Sequence, residues 1–369
     1  MENTNKKSLF ASKTFQAIFS AVLCAVIGIL AGFIILLIIN PQNAPKAILT
    51  ILENFIYWKS GKLKLYYLGS TLVRAVPLIL CSLSVLFAYK SGLFNIGAGG
   101  QYCIGIGVAI WCALFWHLPW YLCVLASAAA GALWGALSGA LKAFFNVNEV
   151  IACIMTNWIS LYLINTLMQN EKIMKNAETI SIAANSPKSI IPSMGLNKFF
   201  SSNEYVTIAI PLCILICIAI WIILSKTTFG YELRATGLNK NAAKYAGMKD
   251  KKNIILTMAI AGALAGIAAS FFYLTDMEHW KTSASVPGMG FNGIAVAFLG
   301  GLNPIGVIFA GYFIQHITTG GSFLDTTYFS PEIADLISAI IIYGCAFVLF
   351  FKSIMTKIAS KQDSKVKTA

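Results

Sequence analysis

Apolar runs long enough to cross a bilayer recur along almost the whole chain, and that recurrence leaves few folds open. Residues 17–39 alone exceed the roughly 20 residues that an α-helix needs to traverse hydrocarbon. Further apolar segments at 68–89, 101–116, 120–141, 150–168, 205–224, 254–274, 290–302, 305–317 and 334–351 bring the number to ten, two of them short. In lipid every backbone N–H and C=O must be paired within the protein, so the expected fold is an all-α polytopic membrane protein with about ten transmembrane segments. Composition agrees: 58% of residues are hydrophobic and 11% charged, against roughly half and a quarter in soluble domains.

The net charge of +13 is not that of a nucleic-acid binder, because no reading motif and no basic face accompanies it. It marks sides of a membrane instead. Residues 225–252 carry seven basic side chains against Glu232 and Asp250, and the tail 352–369 carries five lysines against Asp363. By the positive-inside rule both are cytoplasmic, as is the N-terminal stretch 1–16 with Lys6, Lys7 and Lys13. Residues 17–39 show no small-residue cleavage site, so they read as a retained first span and not as a signal peptide. With both termini inside, the number of crossings is even, which requires a broken pair of short helices around Gly300, Gly301, Asn303 and Pro304. Lys46, Lys59, Lys62 and Lys64 fall in a segment this scheme places outside, a local violation of the charge rule.

Between the spans there is no separate soluble domain, so residues 17–351 form one transmembrane unit. In 41–67, the spacing of Ile48, Leu52, Phe55 and Ile56 predicts a helix lying at the outer interface. The loop 169–203, rich in Asn, Ser and Pro, lacks periodicity and is expected as an external cap. Nine cysteines (24, 81, 103, 112, 123, 153, 213, 217 and 345) lie mostly in apolar runs without CxxC or histidine spacing. They read as small buried hydrophobes, with neither disulfide nor metal site.

Two stretches break the apolar pattern in the same way. GLFNIGAGGQ (92–101) and PGMGFNGIAVAFLGGLNP (287–304) both set Phe-Asn beside clustered glycines at the mouth of a short apolar helix, as two pseudo-repeated halves would. Broken helices persist in membranes only where protein or a watery cavity surrounds them, which makes these breaks the expected solute pathway. Asn95, Gln101 and Asn292 could offer amides to a polar solute, and Phe94, Phe291 or Trp158 could stack on a base. Equally, the glycines could serve helix packing and the amides could satisfy helix ends.

In VNEVIACIMTNW (147–158), Glu149 and Asn157 lie about two turns apart on one helix face. Glu149 suits a helix N-terminus; Asn157, deeper, suits a solute or interhelical contact. The basic loop TTFGYELRATGLNKNAAKYAGMKDKKN predicts a short helix near 240–246 entered from an Asn239 cap. By itself, such a helix could simply anchor to lipid headgroups.

Taken in order, GLFNIGAGGQ, NEVIACIMTNW, GYELRATGLNKNAAKYAGM and GFNGIAVAFLGGLNPIGVIFAG resemble the permease subunits of bacterial ABC importers for nucleosides and simple sugars, over about 68–350. The resemblance implies a subunit of the bacterial inner membrane that binds no cofactor. Its partners would be an ATP-binding subunit using ATP and Mg, a second permease chain that is a paralogue, and an extracytoplasmic solute-binding lipoprotein. It also implies that Glu232, Arg234, Gly237, Asn239, Ala242, Ala243 and Gly247 form the coupling loop on the ATPase. The pathway would run near Asn95 and Gln101, with Asn157, Asn292 and Phe94 beside it. Where the family pattern reads GLFNIGAEGQ this chain has Gly99, so no role can rest on an acid there.

No GxxxxGK[ST] loop occurs, so ATP hydrolysis must come from another chain. An ion-coupled secondary transporter is the alternative, but its coupling groups would have to be Glu149, His316 or Asp335. His117 and His279 fall in expected outer loops. An embedded enzyme lacks paired carboxylates, a nucleophile triad and metal spacing.

Overall fold

The computed structural model describes residues 13–330 and 332–345, together with 347, 350, 353, 354 and 356. Lys6, Lys7, the five tail lysines and the side chain of Cys345 lie outside them.

The chain is mostly helical. Helix α1 (Lys13–Ile39) is followed by α2 (Ala44–Glu53), α3 (Gly61–Lys90), α4 (Ala98–Leu114), α5 (Trp120–Phe145) and α6 (Glu149–Met168). The loop region 169–203 holds strands β1 (Met174–Lys175) and β2 (Glu178–Thr179) with α7 (Ile182–Asn185) and α8 (Leu196–Phe199). Then come α9 (Ala209–Lys226), α10 (Thr228–Leu238), α11 (Lys240–Tyr245), α12 (Asp250–Tyr273), α13 (Met289–Leu299), α14 (Pro304–Gly321) and α15 (Glu332–Cys345). Among the described residues six helices are long and apolar enough to cross a membrane, namely α1, α3, α5, α6, α9 and α12, while α4 and α13 are shorter apolar helices. This is a polytopic membrane protein.

Small residues set the centre of the bundle. On α5, Gly131, Gly135 and Gly139 recur every four residues and face α12 from Gly266 down to Ile255, so closely that a Cβ on Gly131 or Gly135 would strike the α12 backbone. Lipid tails are as apolar as leucine, so helices in membranes associate through this close packing and through shared hydrogen bonds. Ser127 sits at the end of the seam, its hydroxyl 2.9 Å from Gly105 O of α4 and 2.7 Å from Gly266 O of α12. α3 lies inside the bundle with almost all of its second half buried, including the stretch from Val76 to Ala88.

Three details differ from expectation. The region 41–67 does not form one surface helix: α2 ends at Glu53, a 3-10 turn follows at Asn54–Tyr57, and α3 starts at Gly61. α2 buries Ala44, Ala47, Thr50 and Ile51, not the expected Ile48 and Leu52 face, because Gly320 of α14 lets the Ile51 backbone approach. The loop 169–203 contains a two-residue hairpin, so the chain is not purely helical. That loop is anchored: Asp276 accepts from Ser181 Oγ at 2.6 Å and from Ile182 N at 2.7 Å, and Thr179 N donates to Trp280 O at 2.9 Å.

The eight described cysteines are all free and buried, as their apolar settings suggested.

Candidate functional site

Helix α3 ends at Lys90, and the chain turns through Gly92, whose φ of +74° is open to glycine at little cost. Six residues later α4 begins, so the break lies between two buried helices. Its shape is held by amides. Asn95 Nδ2 donates to Gln101 Oε1 at 2.9 Å and to Ser84 Oγ at 3.1 Å, and Gln101 Nε2 donates back to Asn95 Oδ1 at 3.1 Å. Both side chains are fully buried. From α6, Asn157 Oδ1 accepts from Gly100 N at 2.8 Å, and its Nδ2 donates to Ile96 O at 3.1 Å. Gly100 belongs to the first turn of α4, where backbone N–H groups have no partner within the helix, so Asn157 caps α4 from a neighbouring helix.

The expectation that Asn95 and Gln101 present their amides to a solute is therefore revised in this conformation: they present them to each other. Of the two roles open to Asn157, the interhelical one is the one realised. Asn292 lies exposed on the first turn of α13, and Phe291 beside it is also exposed. Phe94 is half-buried and lines a cavity of about 530 Å³ with Arg234, Gly237 and Leu238, away from the amide cluster. Trp158 is exposed and stacked on Tyr162.

The second break meets the first. A Cβ on Gly290, in the first turn of α13, would strike the backbone of Gly99, in the first turn of α4. Two short apolar helices thus bring their N-termini together, each carrying the partial positive charge of a helix start. At Gly99, a side chain would run into Val286, whose Cγ1 lies 2.9 Å from the position of a Cβ. In this fold the residue is glycine because the other break packs on it. Past α13, a turn at Gly300–Asn303 leads into α14, capped by Asn303 Oδ1 on Ile305 N at 2.9 Å with Pro304 at its first position.

The basic loop folds as a pair of short helices. Thr227 Oγ1 accepts from Gly230 N at 3.1 Å and starts α10; Asn239 is extended and its Oδ1 accepts from Ala242 N at 3.0 Å, starting α11 as its sequence predicts. Gly247, with φ +79°, ends the pair. Arg234, Asn239, Ala242 and Gly247 are exposed, Glu232 is half-buried, and Ala243 faces inward. Large apolar side chains also stand in the open here: Leu238 is 89% and Tyr245 94% exposed.

What the sequence did not announce is how this pair touches the first break. A Cβ on Gly237 of α10 would lie 2.6 Å from Gly92 N. Asn253 Nδ2 of α12 donates to Thr236 Oγ1 at 3.3 Å, and Thr257 Oγ1, one turn on, lies 3.2 Å from Ser91 Oγ. α10, α12 and the turn at Ser91 and Gly92 are joined by backbone contact and buried hydroxyls.

Of the groups an ion-coupled carrier would need, Glu149 and His316 are engaged otherwise. Glu149 pairs with Lys142 at 3.0 Å at the start of α6. His316 Nε2 donates to Leu52 O at 2.9 Å and its Nδ1 accepts from Asn54 Nδ2 at 3.1 Å.

The sequence matches the family described as branched-chain amino acid transport system / permease component over residues 67–346. It is 33% identical to the guanosine ABC transporter permease protein NupP of Bacillus subtilis, over 91% of this chain and 95% of that one. It is 34% identical to the nucleoside ABC transporter permease protein NupB of Lactococcus lactis, over 81% and 84%. With the glucose ABC transporter permease protein TsgB13 of Haloferax volcanii it shares 30% identity over 79% of each chain. No solved structure matches it.

Proposed function

The chain belongs to this family of permease components, and from that premise we propose that it translocates nucleosides, or related simple sugars, by ATP-driven alternating access in an ABC importer. It is a transport subunit, not an enzyme. The nucleoside assignment follows the relatives NupP and NupB; the sugar follows TsgB13.

The observation that carries the mechanism is the contact of Gly237 with Gly92. An ATP-binding subunit docks on Glu232, Arg234, Gly237, Asn239, Ala242 and Gly247, with Ala243 seating α11 on the bundle. When ATP and Mg close the ATPase pair, α10 is displaced, and a helix in backbone contact with the turn at Gly92 moves that turn with it. Because α4 and α13 meet at Gly99 and Gly290, both breaks shift together. Asn95, Gln101 and Asn157 keep the first break rigid from behind, while Asn292 and Phe94 face open space along the route.

On this reading α10, α11 and both termini face the cytoplasm of the bacterial inner membrane. The anchored loop 169–203 faces outward, where a solute-binding lipoprotein delivers cargo. About ten segments in two pseudo-repeated halves cross or enter the membrane, α4, α13, α14 and α15 among them, and a second, paralogous permease chain completes the pathway.

Uptake into right-side-out membrane vesicles that carry the whole transporter and are loaded with ATP or left without it tests this. Accumulation of labelled nucleoside that requires ATP and withstands an uncoupler is expected; uptake abolished by the uncoupler and indifferent to ATP would sink it.

A further inference from the structure

A cavity of about 490 Å³ opens between α3, α14 and the start of α15, at the end of the bundle away from α10, and Arg74 stands in its wall. From Arg74 to Lys90 is about 24 Å of helix, and from Arg74 back to the tyrosine pair Tyr66 and Tyr67 about 11 Å. The guanidinium therefore lies at membrane depth, below an aromatic rim in which Tyr67 stacks on Trp58 with ring centres 4.6 Å apart. Among the described residues Arg74 forms no ion pair and no hydrogen bond, although Asp335 of α15 lines the same cavity. A cation at this depth is costly unless water or a ligand solvates it, and intramembrane ionisable groups mark solute paths. Across the cavity, Gln315 of α14 donates to Thr319 Oγ1 at 3.2 Å, adding amide and hydroxyl groups to a wall that also holds Tyr66, Tyr205 and Phe329.

Resting on the nucleoside reading above, we infer that this cavity is a receiving site for a 6-oxopurine nucleoside, with Arg74 as its base-reading residue. A guanidinium offers two parallel N–H donors, and a 6-oxopurine presents two adjacent acceptors, O6 and N7, on one edge; adenine presents N7 beside an N6–H donor and cannot accept both. The opposite edge of guanine carries N–H donors, for which Asp335 is an acceptor, so the two unpaired charges of the cavity match the two edges of one base. A free anion would satisfy Arg74 but meet the Asp335 carboxylate. The rings of Tyr66, Tyr205 and Phe329 supply apolar faces for the base, as ligand pockets of this size commonly do.

The test uses cells expressing the complete transporter. A membrane-impermeant thiol reagent is added from outside to Arg74→Cys, which reports access at depth, and to Thr326→Cys, which lines the cavity and leaves Arg74 intact. The buried native cysteines keep background low. Both variants are expected to be labelled, and guanosine is expected to slow labelling of Thr326→Cys about tenfold, with adenosine and inorganic phosphate without effect. Adding Arg74→Lys, which keeps the charge and loses the fork, should remove that protection and raise the KM for guanosine uptake about tenfold or more. Protection by phosphate in place of guanosine overturns the ligand, and guanosine uptake insensitive to Arg74→Lys overturns the site while leaving the nucleoside reading intact. Absence of any nucleoside uptake by the unaltered transporter removes both together.

Discussion

Gly92 and Gly237 meet backbone to backbone: a Cβ on Gly237 would lie 2.6 Å from Gly92 N, and one on Gly92 would lie 2.8 Å from Gly237 Cα. The first residue sits in the turn between two buried helices; the second sits on a short helix among basic residues that stand outside the bundle. Nothing soft separates them, so displacement of one is displacement of the other.

Enlarging either glycine should therefore break coupling before it breaks the fold. Gly237→Val is expected to leave the protein in the membrane but to abolish solute-stimulated ATPase activity of the assembled transporter. Gly92→Ala adds to the clash the cost of a left-handed backbone, about 1 kcal/mol, and should lower the melting temperature in detergent as well. Normal stimulation in both variants would show that the contact transmits nothing.

Arg234 makes its recorded hydrogen bond within its own helix, Nε to Gly230 O at 3.3 Å, and its side chain is exposed. Reversing its charge should cost the fold less than about 0.5 kcal/mol. Arg234→Glu is predicted to insert and melt like the parent protein and yet to lose the ATPase subunit on gel filtration. Retention of the ATPase at equal occupancy contradicts a docking role.

For the amide cluster the prediction concerns stability. Asn95→Leu leaves the Gln101 amide buried and unpaired, and Gln101→Leu leaves Asn95 with its Ser84 hydrogen bond but without its amide partner, at a cost of about 1–3 kcal/mol each. Because the two share their hydrogen bonds, the double variant should cost less than the sum of the singles, with an interaction energy above about 0.5 kcal/mol. Thermal unfolding of the four proteins in detergent measures this cycle, and strict additivity would mean that the pair does not act as a unit.

On the α5–α12 seam, Gly135→Leu is expected to abolish folded protein, since a Cβ there already meets the Met258 and Gly262 backbone. Gly61→Ala is the control, with nothing within 4 Å of the new carbon. Comparable yields of monodisperse protein from both would argue that the seam tolerates separation.

Local patterns carried the class of protein and most of its helices. The apolar segment expected at 120–141 is α5, and the cap expected at Asn239 starts α11, because hydrophobic length and capping depend on residues a turn or two apart. The breaks at 92–101 and 287–304 were legible for the same reason. Their meeting at Gly99 and Gly290 was not, although paired glycines hinted at it. Arg74 escaped notice inside the run TLVRAVPLIL, where a lone cation among apolar residues was the available signal.

By itself the sequence determined that this chain lives in lipid, where its helices begin, and that polar glycine-rich breaks interrupt them, since solvation and backbone hydrogen bonding act on near neighbours. Tertiary structure decided which groups face one another: that Asn95 closes on Gln101, that Gly237 bears on Gly92, and that Arg74 and Asp335 share a cavity. The last two depend on elements distant in the chain coming together. Such approach is governed by how small residues let whole helices pack, which no single stretch of sequence encodes.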